Sequence, residues 1–187
     1  MSYALAWCAF GLLHSMTAGA TVRHGLGRWF GRGHRMAYNL VAIATFGALW
    51  AIGLWLGGDA PRFMLPLPAR LLQYAMLGGG VFLGVMALRS YRAGPFVGWA
   101  QLRGEDDDAQ PLVTDALHAR FRHPLYTAVL LLLWGMADDE LALATALWGS
   151  LYLWIGSAFE ERRLIARYGD AYRRYRAATP RFLPRLR

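Results

Sequence analysis

Five apolar runs, residues 3–22, 36–57, 71–88, 125–137 and 141–159, contain no Arg, Asp or Glu. At a helical rise of about 1.5 Å per residue, the first, second and fifth reach about 28–33 Å, close to the bilayer hydrocarbon thickness of about 30 Å. Composition points the same way: 56% of the 187 residues are hydrophobic and 17% charged, whereas a soluble globule carries roughly 25% charge. The expectation is an all-α integral membrane bundle of about five transmembrane helices, the last two a helical hairpin, with an amphipathic C-terminal tail. It forms a single membrane domain made of a three-helix part (1–110) and a second part (111–187).

The fourth run is unusual. Thirteen residues give only about 20 Å, so either residues 119–123 prolong it or it forms a short, tight hairpin with the fifth run. Both solutions draw Arg122 and His123 of "ARFRHPLYTAVLLLLWGMADDE" to the mouth of a membrane helix. The first run lacks a basic leading segment and carries His14 and Ser15 in its middle, so it is read as a mature helix rather than a signal peptide. A lone cysteine, Cys8, excludes an internal disulfide and a Cys-rich metal site. Five His without paired spacing argue against any metal site.

All 20 basic residues are Arg; four fall in 23–35, five in 89–122 and nine from 162 onward, leaving only Arg62 and Arg70 elsewhere. The positive-inside bias then places the N-terminus outside and the tail in the cytoplasm. The same bias accounts for most of the +8 net charge, so the partners expected are membrane lipids with anionic headgroups, not nucleic acid. The Lys-free, Arg-rich composition suggests a bacterial inner membrane.

The cytoplasmic side holds most of the loop length. In the connection 89–123, Glu105 to Asp108 form an acidic patch, Thr114 and Asp115 offer N-cap oxygens for a short helix through Phe121, and Pro124 suits the first turn of the next helix. In the tail, Gly169 is a helix stop, Asp170 a cap for a further short helix, and Pro180 and Pro184 end it. Leu164, Tyr168, Tyr172 and Tyr175 recur at helical spacing, which predicts an amphipathic tail that folds under the bundle or lies along the headgroups.

Chemistry concentrates at one place. Arg122, His123 and Tyr126 open the fourth run, and Glu160 and Glu161 close the fifth. If the short "ADDE" turn makes these runs antiparallel neighbours, the five side chains meet. One Arg, one His, a phenol and two carboxylates suit a ligand with both charges and a flat ring; S-adenosylmethionine is one such ligand among several. The plainer reading is an interfacial Arg-His anchor and a solvated Glu-Glu helix end.

"RHPLY", followed by "EERRLIARYGDAYRRYRAATPRFLP", resembles the signature of the isoprenylcysteine carboxyl methyltransferase and phospholipid methyltransferase superfamily. The resemblance covers about residues 111–184 and includes a "PLVT" lead-in. It implies an S-adenosylmethionine site formed by Val113, Arg122, His123, Pro124, Tyr126, Glu160, Glu161 and Tyr172, with Arg122 also catalytic. Three positions depart from the pattern: Ala128 and Ala116 replace glycines, and His118 replaces a tyrosine. The N-terminal half is similar to the nurim-like and methanethiol S-methyltransferase branch, which nominates His14, Ser15, Arg35, Tyr38 and Asn39 for the acceptor. The function expected is methyl transfer to a small thiol or lipid-borne nucleophile. A thiolate or carboxylate needs no base; for an amine, His14 or His118 would serve. The alternatives are an NADPH-dependent membrane reductase related to sterol reductases, whose usual Asn and Glu are missing from "RHPLYTA", and a non-catalytic membrane scaffold.

Overall fold

Long runs rich in Leu, Ala, Trp and Phe form the helices. The computed structural model describes residues 2–18, 25, 27–57, 61–90, 99–103 and 111–184. The helices are α1 (Ser2–Ala18), α2 (His34–Gly57), α3 (Leu67–Ser90), the short α4 (Trp99–Leu102), α5 (Pro124–Gly135), α6 (Glu140–Tyr168) and α7 (Asp170–Ala178), with 3-10 turns at Gly31–Gly33 and Ala116–Ala119. Among the described residues, three stretches are long and apolar enough to cross a membrane: Gly27–Gly57, Leu67–Arg89 and Glu140–Tyr168. Helix α1, with 17 residues, and α5, with 12, are shorter than these. The acidic patch at 105–108 lies outside the described residues.

The chain divides into two compact units, residues 1–59 with 92–110, and 60–91 with 111–187. In the first, α1 and α2 run antiparallel. Phe10 meets Phe46 with ring centroids 5.9 Å apart, and one turn along, Tyr38 Oη and His14 Nε2 share a hydrogen bond of 2.9 Å.

In the second unit, α3 and α5 pack antiparallel at very close range. A β-carbon on Gly80 would sit 2.9 Å from Leu132 Cγ and 3.1 Å from the Ala128 carbonyl; one on Gly135 would sit 2.7 Å from Leu77 Cγ. Helices in lipid gain stability from such close backbone approach because there is little hydrophobic drive between them. Ala128 lies in this seam, with its methyl opposite Gly84, so the extra carbon is absorbed by helix packing. At the far end, Gln73 Nε2 donates to the Ala137 carbonyl at 2.9 Å, and the backbone N–H of Phe63 donates to Asp138 O at 2.6 Å. The turn between α5 and α6 is thereby satisfied.

Helix boundaries follow local chemistry. Asp139 caps α6 by accepting from the Ala142 N–H at 2.7 Å, a contribution of about 1 kcal/mol. Pro124 opens α5. Gly169, at φ +57°, stops α6. Two expectations need correcting. Asp170 is the first residue of α7 rather than its cap, the N-cap position being held by Gly169, and its exposed carboxylate pairs with Arg173 at 2.7 Å. The helix expected through Phe121 shrinks to the 3-10 turn Ala116–Ala119, and Asp115 makes no side-chain cap bond there. Ala116 itself lies at φ +48°, the left-handed region that a glycine occupies without strain.

Candidate active site

The chain enters α5 through Arg122 and His123, whose backbone N–H groups lie ahead of the helix's own hydrogen bonds. They donate to the carbonyls of Pro180 (2.9 Å) and Arg181 (3.1 Å). Thr127 Oγ1 adds a bond to the Phe182 carbonyl at 2.8 Å. Residues 179–184 therefore form a non-helical strap along the mouth of α5. Prolines at 180 and 184 keep this segment out of a helix, and Thr179 is extended at φ −113°, ψ 128°.

Under the strap, Glu161 gathers the cations. Its side chain is 2% exposed and that of Arg122 8%. Glu161 Oε1 accepts from Arg122 Nε at 2.9 Å and Nη2 at 2.8 Å, and meets His123 Nε2 at 3.1 Å. Arg122 Nη1 donates to the carbonyls of Arg176 (3.0 Å) and Thr179. Four of the five guanidinium N–H donors are thus spent inside the protein, joining α5, α6, α7 and the strap. A buried charge this dry needs such pairing, since an isolated one costs several kcal/mol.

Glu160 behaves differently although it is the next residue. It points toward His123 Nδ1 at 3.7 Å, with 39% of its side chain exposed, yet its Oε2 is buried without a hydrogen-bond partner among the described residues. Tyr172 is 1% exposed, and its hydroxyl also lacks a partner there. Burial above all, then the negative charge of Glu161, raises the Tyr172 phenol well above its ordinary value; it stays protonated and is a donor at neutral pH. Flat faces adjoin these groups. Tyr126 stacks on His123 (5.2 Å, 13°), Phe182 tilts against His123 (5.8 Å), and Phe182 also reaches Trp154 (6.1 Å).

His118 lies buried in the 3-10 turn, and its carbonyl accepts the Tyr175 hydroxyl at 2.6 Å. Desolvation lowers its pKa, with nearby Asp115 opposing, so its ring is neutral at pH 7. Val113 stands exposed in the non-helical lead-in and joins none of the interactions that tie the cluster together. Of the residues singled out from the sequence, Arg122, His123, Pro124, Tyr126, Glu160, Glu161 and Tyr172 thus come together, with His118 close enough to His123 and Glu160 to feel their charge. His14, Ser15, Arg35, Tyr38 and Asn39 belong to the other unit.

Sequence reasoning missed the strap residues Arg181 and Phe182 and their platform Trp154. The signal was available: two prolines bracketing Arg-Phe-Leu keep that segment out of a helix, and a non-helical segment beside a helix mouth supplies carbonyls to unpaired N–H groups. Arg181 Nε lies 3.3 Å from Glu161 Oε1, and its guanidinium carbon sits 5.2 Å from the Trp154 ring centre.

No protein-family model matches the chain, and no solved structure does. It is 38% identical over 87 residues to methanethiol S-methyltransferase 2 of Bradyrhizobium diazoefficiens, covering 45% of this chain and 33% of that protein. It is 33% identical over 75 residues to methanethiol S-methyltransferase of Pseudomonas deceptionensis (40% and 29%). It is 30% identical over 86 residues to methanethiol S-methyltransferase 1 of Bradyrhizobium diazoefficiens (44% and 30%). The matched stretch spans about a third of these curated relatives. Over somewhat less than half its length, then, the chain is similar to the methanethiol S-methyltransferase branch of the integral membrane methyltransferases, the resemblance its motifs carry.

Proposed function

We propose that this chain is an S-adenosylmethionine-dependent membrane methyltransferase acting on a small thiol or a lipid-borne nucleophile, with a small thiol as the first acceptor to test. The observation that carries the reading is the pair of buried polar atoms, Glu160 Oε2 and Tyr172 Oη, without hydrogen-bond partners among the described residues, beside a cation cluster and stacked rings. Leaving such groups unsatisfied costs about 1–3 kcal/mol each, so a ligand with donors and an acceptor is favoured there. When bound, S-adenosylmethionine supplies a methyl group on a positively charged sulfur, which leaves as a neutral thioether.

In this reading Glu160 accepts from the ammonium or ribose hydroxyls, and Tyr172 donates. The rings of Tyr126, His123 and Phe182 offer faces to the adenine and the sulfonium. Arg122 holds Glu161 and the strap in place, so the site is organised before the ligand arrives. Val113 and Pro124 shape the backbone around it. His14, Ser15, Arg35, Tyr38 and Asn39 serve the acceptor. A thiolate needs no base; for an amine, His14 or His118 would take the proton.

The membrane arrangement belongs to the same proposal. It has five crossings, formed by α1, α2, α3, α5 with its flanking turns, and α6. Helices α5 and α6 make the closing hairpin, α7 is an amphipathic cytoplasmic tail against anionic headgroups, and the N-terminus faces outward across a bacterial inner membrane. The names of the relatives support the thiol acceptor. The test is transfer of labelled methyl from S-adenosylmethionine to methanethiol, phospholipids and prenylcysteines by the detergent-purified chain. Methylation of methanethiol is expected, and transfer to prenylcysteine alone would overturn the acceptor. Full turnover by both His14→Ala and His118→Ala would remove these residues as bases.

A further inference from the structure

The obvious cation for a ligand carboxylate is Arg122, yet its donors are largely committed. Nε and one Nη2 hydrogen go to Glu161, and Nη1 goes to two backbone carbonyls. Redirecting it would strip the charge partner from a carboxylate that is 2% exposed and release the strap.

Arg181 is in the opposite situation. Its side chain is 27% exposed. It approaches Glu161 with longer contacts, Nε 3.3 Å from Oε1 and Nη2 3.4 Å from Oε2, while three shorter contacts already hold Glu161 through Oε1. No hydrogen bond of its Nη1 is seen among the described residues. Its guanidinium carbon lies over the Trp154 ring, 5.2 Å from its centre, and the Nη1 side of the fork is left for a second planar acceptor. Its neighbour Phe182 is one of the rings beside His123, so the fork sits on the same strap as a wall of the site.

We propose that Arg181, rather than Arg122, grips the carboxylate at the amino-acid end of S-adenosylmethionine, while Glu160 faces the adjoining ammonium. This rests on the cofactor reading above. Its consequence is that the strap is part of the binding site and not only a backbone clamp: the ligand's carboxylate replaces the long contacts of Arg181 to Glu161, and Arg122 keeps Glu161 paired throughout.

Two probes separate the ideas. S-adenosylhomocysteine carries the carboxylate and the ammonium, and S-adenosyl-3-thiopropylamine is the same molecule without the carboxylate. Calorimetric titration of the full chain in detergent, as wild type, Arg181→Gln and Arg181→Lys, gives six affinities. The wild type should prefer the homocysteine compound. Arg181→Gln should weaken it roughly tenfold to a hundredfold, the loss of a charge-assisted pair, while changing the thiopropylamine compound less than about threefold. Arg181→Lys should recover part of the preference. Equal losses on both probes would make Arg181 a structural clamp, and unchanged affinity for both would remove it from the site; either overturns the proposal while leaving the cofactor reading intact. A wild type that binds neither probe overturns both. Arg181→Lys keeps the cation, so its preference is informative even if the glutamine variant folds poorly.

Discussion

Glu160 and Glu161 are adjacent in sequence and should respond oppositely to the same substitution. Glu161→Gln keeps the volume and one acceptor oxygen but removes the charge that faces Arg122, whose side chain is 8% exposed. Breaking a buried pair costs about 3–5 kcal/mol, and a charge-assisted hydrogen bond alone is worth about 1.5–3 kcal/mol. Because glutamine still accepts one bond, about 2–3 kcal/mol is expected. For a chain of this size each kcal/mol moves the melting temperature by about 2–4 °C, so the variant should melt about 4–12 °C lower. Glu160→Gln acts on a side chain that is 39% exposed and lies 3.7 Å from His123. Such a pair contributes about 0–1 kcal/mol, so melting should change little, while affinity for S-adenosylhomocysteine falls at least about tenfold, the value of one charged hydrogen bond. The assay is thermal unfolding in detergent by circular dichroism, with titration of the same samples. A Glu160→Gln variant that melts as low as Glu161→Gln, or a Glu161→Gln variant with unchanged melting, would refute the division of labour between the two carboxylates.

Three further outcomes are expected. Gly80→Leu and Gly135→Val should destabilise by about 1–3 kcal/mol or more through overpacking, because a β-carbon at either position already meets atoms within 3 Å; Gly47→Ala and Gly156→Ala, which meet nothing within 4 Å, should not lower melting and should raise stability by about 0.5–1 kcal/mol through the lost freedom of glycine in the unfolded chain. Ala116→Gly should raise the melting temperature slightly, since left-handed φ costs alanine about 1–2 kcal/mol and the added freedom of glycine returns about 0.5–1 kcal/mol of that. His118 has a folded-state pKa below the ordinary 6.5, so the unfolded chain binds the extra proton first. Stability from this group is present above pH 6.5 and is lost as pH falls through the folded value. Melting curves from pH 8 to 5 should show that loss in the wild type and a shallower one in His118→Gln.

Much of the fold was legible in the residues. Uncharged runs of this length admit little but membrane helices, Pro124 and Gly169 mark boundaries by constraints on φ that act locally, and two carboxylates at one helix end with Arg-His at another make a natural pair across a short turn. The site was less legible wherever a side chain had to choose between partners. Arg122 reads from the sequence as a ligand clamp, yet its donors close on Glu161 and on the carbonyls of Arg176 and Thr179, groups 39 to 57 residues away. Nothing in local spacing sets such distances.

Ala116 and Ala128 show the difference most clearly. In the sequence both are the same departure, an alanine where the resembling proteins carry glycine. In the folded protein one sits at φ +48° and bears backbone strain, while the other faces Gly84 in the α3–α5 seam and bears none. By itself the sequence determined that the chain is helical and apolar enough for lipid, and where several helices start and stop, because those properties depend on contiguous residues. Only the tertiary structure decided which carboxylate is buried with Arg122, which is left open beside Tyr172, and that residues 179–184 pair with the mouth of α5, because a buried charge or N–H takes whichever partner the packed helices bring within about 3 Å.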